Sequence, residues 1–156
     1  MQIKFLKKEE KLKIEEILKK EYETDFSFQE FSLFLKENKI FLCSKEIEEK
    51  KEIFLKINFF SFGLFFGELK KNDRILLSLE GGQMIALSAR KNIAFLDEKS
   101  LRNFLLGFNI LGTKEINCKE EAFVLLKYRD DLVGIGKKKK NYIENLTVKT
   151  RRLSQF

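Results

Sequence analysis

Between Glu9 and Tyr22, apolar residues fall at Ile14, Ile17, Leu18 and Tyr22, the i, i+3, i+4, i+8 spacing of one helical face, with lysine and glutamate filling most other positions. This predicts an amphipathic helix that covers a core. Leu33 to Leu35 and Ile40 to Cys43 are short apolar runs on either side of the polar KENK, and Asn38 in that connection favours a β-hairpin. Ser44 is placed to cap a helix from Lys45 to about Leu55, its hydroxyl accepting from an otherwise unpaired amide of the first turn. Phe59 to Leu69 and Arg74 to Ser78, joined by KKND, predict a second strand pair. The Glu80-Gly81-Gly82 region weakens the expectation of a helix there.

The pattern changes near residue 90. Ile93 to Leu96 is a short apolar strand, Asp97 is placed to cap a helix, and Leu101, Phe104 and Leu105 give that helix an apolar face. Gly107 stands where a left-handed residue ends a helix without a Cβ clash. Ile110-Leu111 resumes as strand, Ala122 to Tyr128 and Leu132 to Ile135 flank the turn RDD, and Ile143 to Leu146 and Val148 to Leu153 complete the sheet. One short helix among five or six short strands points to a small β-barrel rather than a sandwich or a βαβ fold. The expected class is α+β: a mixed α/β domain over residues 1–89, then a barrel over 90–156.

The length of 156 residues accommodates one ordinary domain or two small ones in contact, and 44% hydrophobic residues argue against intrinsic disorder. Histidine is absent, which excludes Ser/His/Asp and Cys/His catalysis, His-ligated zinc and a His proton shuttle. Cys43 and Cys118 lie far apart with no CxxC, so they read as reduced thiols suited to a reducing cytosol rather than as metal ligands. The opening MQIKFLKKEEKLKIEE turns charged within a few residues, and no later stretch has the length of a membrane span, so a cytoplasmic protein with no membrane partner is expected.

Charge is informative once it is divided by position. The segment from 137 to 152, KKKKNYIENLTVKTRR, sets seven basic residues (Lys137, Lys138, Lys139, Lys140, Lys149, Arg151 and Arg152) against Glu144, so it carries +6 of the net +7. A nearly neutral body with one basic segment favours a polyanion, because neutralised phosphates release condensed counterions; a solvated run with no partner is the plainer alternative. The arginines suit forked contact with phosphate oxygens and the lysines act as flexible point charges. If their segment is a strand, Arg151 and Arg152 point to opposite faces. Tyr142, inside the run, could stack on a base, whereas the 17 phenylalanines sit mostly in apolar runs and read as core. Arg102 is either a further phosphate contact or a solvated helix residue. Paired acids such as Glu15-Glu16, Glu48-Glu49, Glu120-Glu121 and Asp130-Asp131 are interleaved with lysines and read as surface rather than as acid–base or Mg²⁺ sites. No phosphate-binding loop and no GxGxxG occurs, and no cofactor is called for.

Several stretches resemble a known family. Phe62-Gly63-Leu64-Phe65-Phe66-Gly67-Glu68-Leu69, followed by a strand and Leu79 to Ala86, is similar to the junction in Nip7-type ribosome-biogenesis proteins, and KIFLCSKEI fits their strand ending in Ser before a helix. NIAFLDEKSLRNFLLGFNIL resembles the opening strand, helix and glycine turn of a PUA domain, and Leu132-Val133-Gly134-Ile135-Gly136 resembles its Gly-x-Gly strand. Residues 31 to 153 carry the likeness. The chain departs from the pattern at Lys114, where a second glycine is usual, and at Gly107-Phe108, where Gly-Asn is usual.

The resemblance implies a pre-PUA domain followed by a PUA domain, a non-catalytic monomer that binds precursor rRNA of the large subunit and meets other ribosome assembly factors through its N-terminal domain. It places RNA on the surface formed by the helix, the glycine turn and the last strands, which includes Arg102, Gly107, Lys137 to Lys140, Tyr142, Lys149, Arg151 and Arg152. The rival from another class is a PUA-containing subunit or targeting half of an RNA-modification enzyme, of methyltransferase or pseudouridine synthase type. A third reading is an adaptor whose basic face meets an acidic protein.

Overall fold

A computed structural model describes residues 3–56 and 62–154. Two five-stranded sheets, ordered β1-β2-β3-β4-β5 and β10-β9-β8-β6-β7, form its framework. The first is an antiparallel meander of β1 (Ile3–Phe5), β2 (Ser32–Lys36), β3 (Lys39–Cys43), β4 (Leu64–Lys70) and β5 (Arg74–Leu77). Helix α1 (Lys8–Tyr22) follows the expected periodicity and buries Ile14, Leu18 and Tyr22. It ends at Glu23, whose left-handed φ of 48° lets its amide bond the carbonyl of Lys19. The helix expected from Lys45 to Leu55 is two, α2 (Lys45–Glu49) and α3 (Lys51–Lys56), and Ser44 occupies the cap position without a side-chain bond. Residues 59–61 of the expected third strand lie outside the described residues.

The helix α4 (Leu79–Ala86) overturns the reading of Gly81-Gly82 as a helix breaker. The Ser78 hydroxyl caps it, accepting from the Gly81 amide at 2.9 Å. The glycines are there for space rather than flexibility. A Cβ on Gly81 would lie 2.1 Å from the carbonyl oxygen of Phe66 in β4, and one on Gly82 would lie 2.7 Å from Leu132 and 2.9 Å from Ile135 in β9. Lacking both, α4 lies against the two sheets at once, and the packing gained outweighs the weak helix propensity of glycine.

The second sheet comprises β6 (Ile93–Phe95), β7 (Lys114–Ile116), β8 (Phe123–Tyr128), β9 (Asp131–Lys138) and β10 (Ile143–Asn145), with β6 and β8 parallel and the other pairs antiparallel. Helix α5 (Glu98–Leu105) is capped by Asp97, whose carboxylate accepts from the Ser100 amide at 2.7 Å. The expected barrel is not closed by continuous ladders: Ile110, read as strand, makes one isolated bridge to Ile143. Val148 to Leu153 is not a strand either. It holds a turn of 3₁₀-helix at Lys149–Arg151, and Leu153 donates to the Leu105 carbonyl at 2.8 Å.

One core runs through both sheets, from Leu18, Leu33, Ile40 and Phe66 to Ile93, Leu125, Leu132 and Ile135, and a smaller cluster around Phe104, Val124 and Leu126 fills the far face of β8. A central strand buried on both faces explains the unbroken run FVLL. The connection between the sheets is held by the end of α1. The Tyr22 carbonyl accepts from the Arg90 amide at 2.9 Å, the Glu21 carbonyl accepts from the buried Asn92 side chain at 2.6 Å, and Arg90 pairs with Asp25 at 3.0 Å. Across the same junction Arg74 lies 4.6 Å from the centre of the Phe123 ring and donates to the Glu121 carbonyl. Cys43 and Cys118 are both free, and burial pushes each thiol up to about 11. Among the described residues no helix is long and apolar enough to cross a membrane.

Candidate nucleic-acid interface

The lysine run occupies the end of β9 and the turn into β10, a turn closed by the Lys139 amide on the Tyr142 carbonyl at 2.8 Å. Strand alternation alone would send Lys137 and Lys138 to opposite faces, and two glutamates from elsewhere in the chain meet them there. Glu121, just before β8, accepts from Lys139 at 2.8 Å and from Lys137 at 3.0 Å. Glu115, on β7 at the far edge of the sheet, takes Lys138 at 2.5 Å. Hydrogen bonds from Lys139 and Lys137 hold the Glu121 carboxyl below the usual range, and the Glu121 bond raises Lys139 in turn. Lys140 and Lys149 are exposed and make no ion pair among the described residues. Tyr142 is 36% exposed beside this lip.

Gly107, Lys149, Arg151 and Arg152 lie past the other end of β10, three strand residues or about 10 Å away. Gly107 has the expected left-handed backbone, φ 94°, but its open side is covered: a Cβ there would lie 2.5 Å from Cδ of Arg152. The Arg152 Nε donates to the Thr147 carbonyl at 3.0 Å. Arg151 reaches away to Glu80 on α4 at 3.2 Å, so the arginines do diverge, although on a 3₁₀ turn and not on a strand. The Glu80 carboxyl is held low by its own backbone amide and then by Arg151. Buried Asn145 ties this end together, donating to the carbonyls of Phe104 at 2.7 Å and Phe108 at 3.0 Å. Arg102 pairs with Glu98 one helical turn back at 2.7 Å.

The structure therefore gathers Lys137 to Lys140 and Tyr142 at one lip, gathers Gly107 and Arg152 at a second place, and turns Arg151 toward α4. Glu115 and Glu121 were not foreseen as partners of the run. Glu121 stood out only as half of an acidic pair, and no signal within either segment links them to residues 137–139. Surface pairs of this kind are weak, because water screens both charges, and they exchange readily, so phosphates can replace these carboxylates. Among the described residues no group of acids, cysteines or histidines could hold a metal ion.

The molecule is thus a mixed α/β protein of two mostly antiparallel five-stranded sheets that share a core, with the lysine lip on the second. Residues 3–79 match the model of the NIP7/UPF0113 pre-PUA domain. Over those residues the chain is similar to this family, and it is Nip7-like. Over its whole length the chain is similar in fold to a conserved PUA domain protein from Thermoplasma acidophilum, with a TM-score of 0.62, 11% identity, and coverage of 96% of this chain and 97% of the other. No curated protein sequence matches it significantly.

Proposed function

We propose that this chain is a non-catalytic RNA-binding factor in ribosome biogenesis that engages precursor rRNA of the large subunit. Supporting this is the conjunction of a pre-PUA match over residues 3–79 with a lysine lip on the sheet that follows. Lys140 and Lys149 offer phosphate contacts at once, while Lys137 and Lys139 are released as RNA displaces Glu121. Arg152 and the Gly107 turn extend the surface along β10, with Arg102 and Arg151 at its margin. In this reading residues 90–156 form the RNA-binding domain of a monomer. Residues 1–89 meet other assembly factors, for which the exposed Leu64 and Phe65 at the start of β4 offer apolar contact.

The test is crosslinking in cells followed by sequencing of the bound RNA. Reads concentrated in the large-subunit precursor are expected. A single tRNA species would instead indicate the targeting part of a modification enzyme, and absence of RNA would indicate an adaptor for an acidic protein.

A further inference from the structure

A depression of about 280 Å³ lies where residues 110–115 meet the β9–β10 turn. Its floor is the bridged pair Ile110 and Ile143, both almost fully buried. Tyr142 and Gly112 line it, and Gly112, at φ 66°, has nothing within 4 Å of where a Cβ would sit. Lys140 also lines it, and Thr113 and Glu115 give it a polar edge.

We propose that this depression takes one unstacked nucleotide of the bound RNA, its base against Tyr142 over the apolar floor and its phosphate at Lys140. This rests on the RNA-binding reading above. The volume falls near the lower end of the ~300–1,000 Å³ of small-molecule sites, which suits one nucleotide and excludes a base pair still stacked in a helix. An aromatic side chain beside an apolar floor and an unpaired cation match the two halves of a nucleotide, since bases stack on aromatic rings and phosphate seeks the ammonium. The polar edge supplies selectivity. Glu115 already receives Lys138 at 2.5 Å and the Thr113 hydroxyl at 3.3 Å, but a carboxylate has about four acceptor positions, which leaves room for the amino group of a base. Because Lys138 neutralises Glu115, the edge does not repel the incoming phosphodiester.

The test uses the full chain and two blunt-ended RNA duplexes of equal length, one fully paired and one with a single 2-aminopurine bulge. The wild type should prefer the bulged duplex by about tenfold, the scale of one base–aromatic stack, and should change the 2-aminopurine emission on binding. Tyr142→Ala should erase both the preference and the emission change at an unchanged melting temperature, and Tyr142→Phe should retain them. Equal affinity of the wild type for the two duplexes, or equal losses on both in Tyr142→Ala, would overturn the nucleotide site and leave the lysine-lip reading standing. Failure of the wild type to bind either duplex would overturn both.

Discussion

The two sheets have five strands each and solve the packing problem with different residues. The first is aromatic on both faces. On its core side Phe66 meets Phe28 edge-on at 5.1 Å, and on its other side Phe34 stacks on Phe41 at 5.2 Å and on Phe62 at 4.4 Å. The second is built around aliphatic residues of β8, with the lysine lip at one end of β9. Packing and ligand chemistry are thus separated in space: substitutions in the first sheet should change stability, and substitutions at the lip should change affinity.

The largest expected effect is Phe66→Ala, which empties a fully buried aromatic position shared by the shell of Phe26 and Phe28. Denaturant titration should show a loss of about 3–5 kcal/mol, while the folded fraction keeps its RNA affinity. A comparable loss of affinity would erase the division between the sheets. Gly81→Ala comes next. In an open helix this substitution stabilises by roughly 0.4–1 kcal/mol, but here the new Cβ meets backbone that cannot swing aside, so about 1–3 kcal/mol should be lost in thermal melts.

Gly107 sharpens the comparison because it combines both roles. Gly107→Val places a β-branched residue at positive φ and should lose on the order of 1–3 kcal/mol, whereas Gly107→Asn should recover most of it. Either side chain displaces the flexible stem of Arg152, so affinity for RNA should recover only partly in Gly107→Asn. Paired melts and binding titrations separate the two effects.

The smallest effect concerns Glu121. Glu121→Gln frees Lys137 and Lys139 and should raise RNA affinity a few-fold at neutral pH. The carboxyl is held below its ordinary value by Lys139 and Lys137, so the pairing is fully present above the unfolded glutamate value of about 4.3 and is lost as pH falls through the lower folded value. The affinity difference between variant and wild type should accordingly vanish only below the usual glutamate range, as measured by binding titrations across acidic pH.

Local signals in the sequence carried much of this fold. The helix from Lys8 to Tyr22, the hairpin around Asn38, the Asp97 cap and the left-handed Gly107 all follow from spacing and residue type within a dozen positions. What was not legible depends on distant partners. Gly81 and Gly82 look like helix breakers until Phe66 and Leu132 are placed beside them, and the strand expected from Val148 to Leu153 becomes a 3₁₀ turn where Arg151 reaches Glu80 and Leu153 bonds Leu105. The short strands β1 and β7 carry too few residues for alternation to register. At the candidate site the lysines could be located by counting, but their pairing with Glu115 and Glu121 is set by strand order, which no local pattern encodes.

The central claim is that RNA is held by phosphate contacts at the lysine lip of the second sheet, and a salt titration of affinity tests it most directly. For single-stranded RNA, the logarithm of affinity should fall linearly with the logarithm of salt concentration, and replacing Lys137, Lys139 and Lys140 together by alanine should reduce that slope by about 2, or about 0.7 for each lost contact. The melting temperature should be unchanged, since none of the three packs in the core. An unchanged slope in a variant that still folds and still binds would contradict the account and place the RNA elsewhere on the molecule.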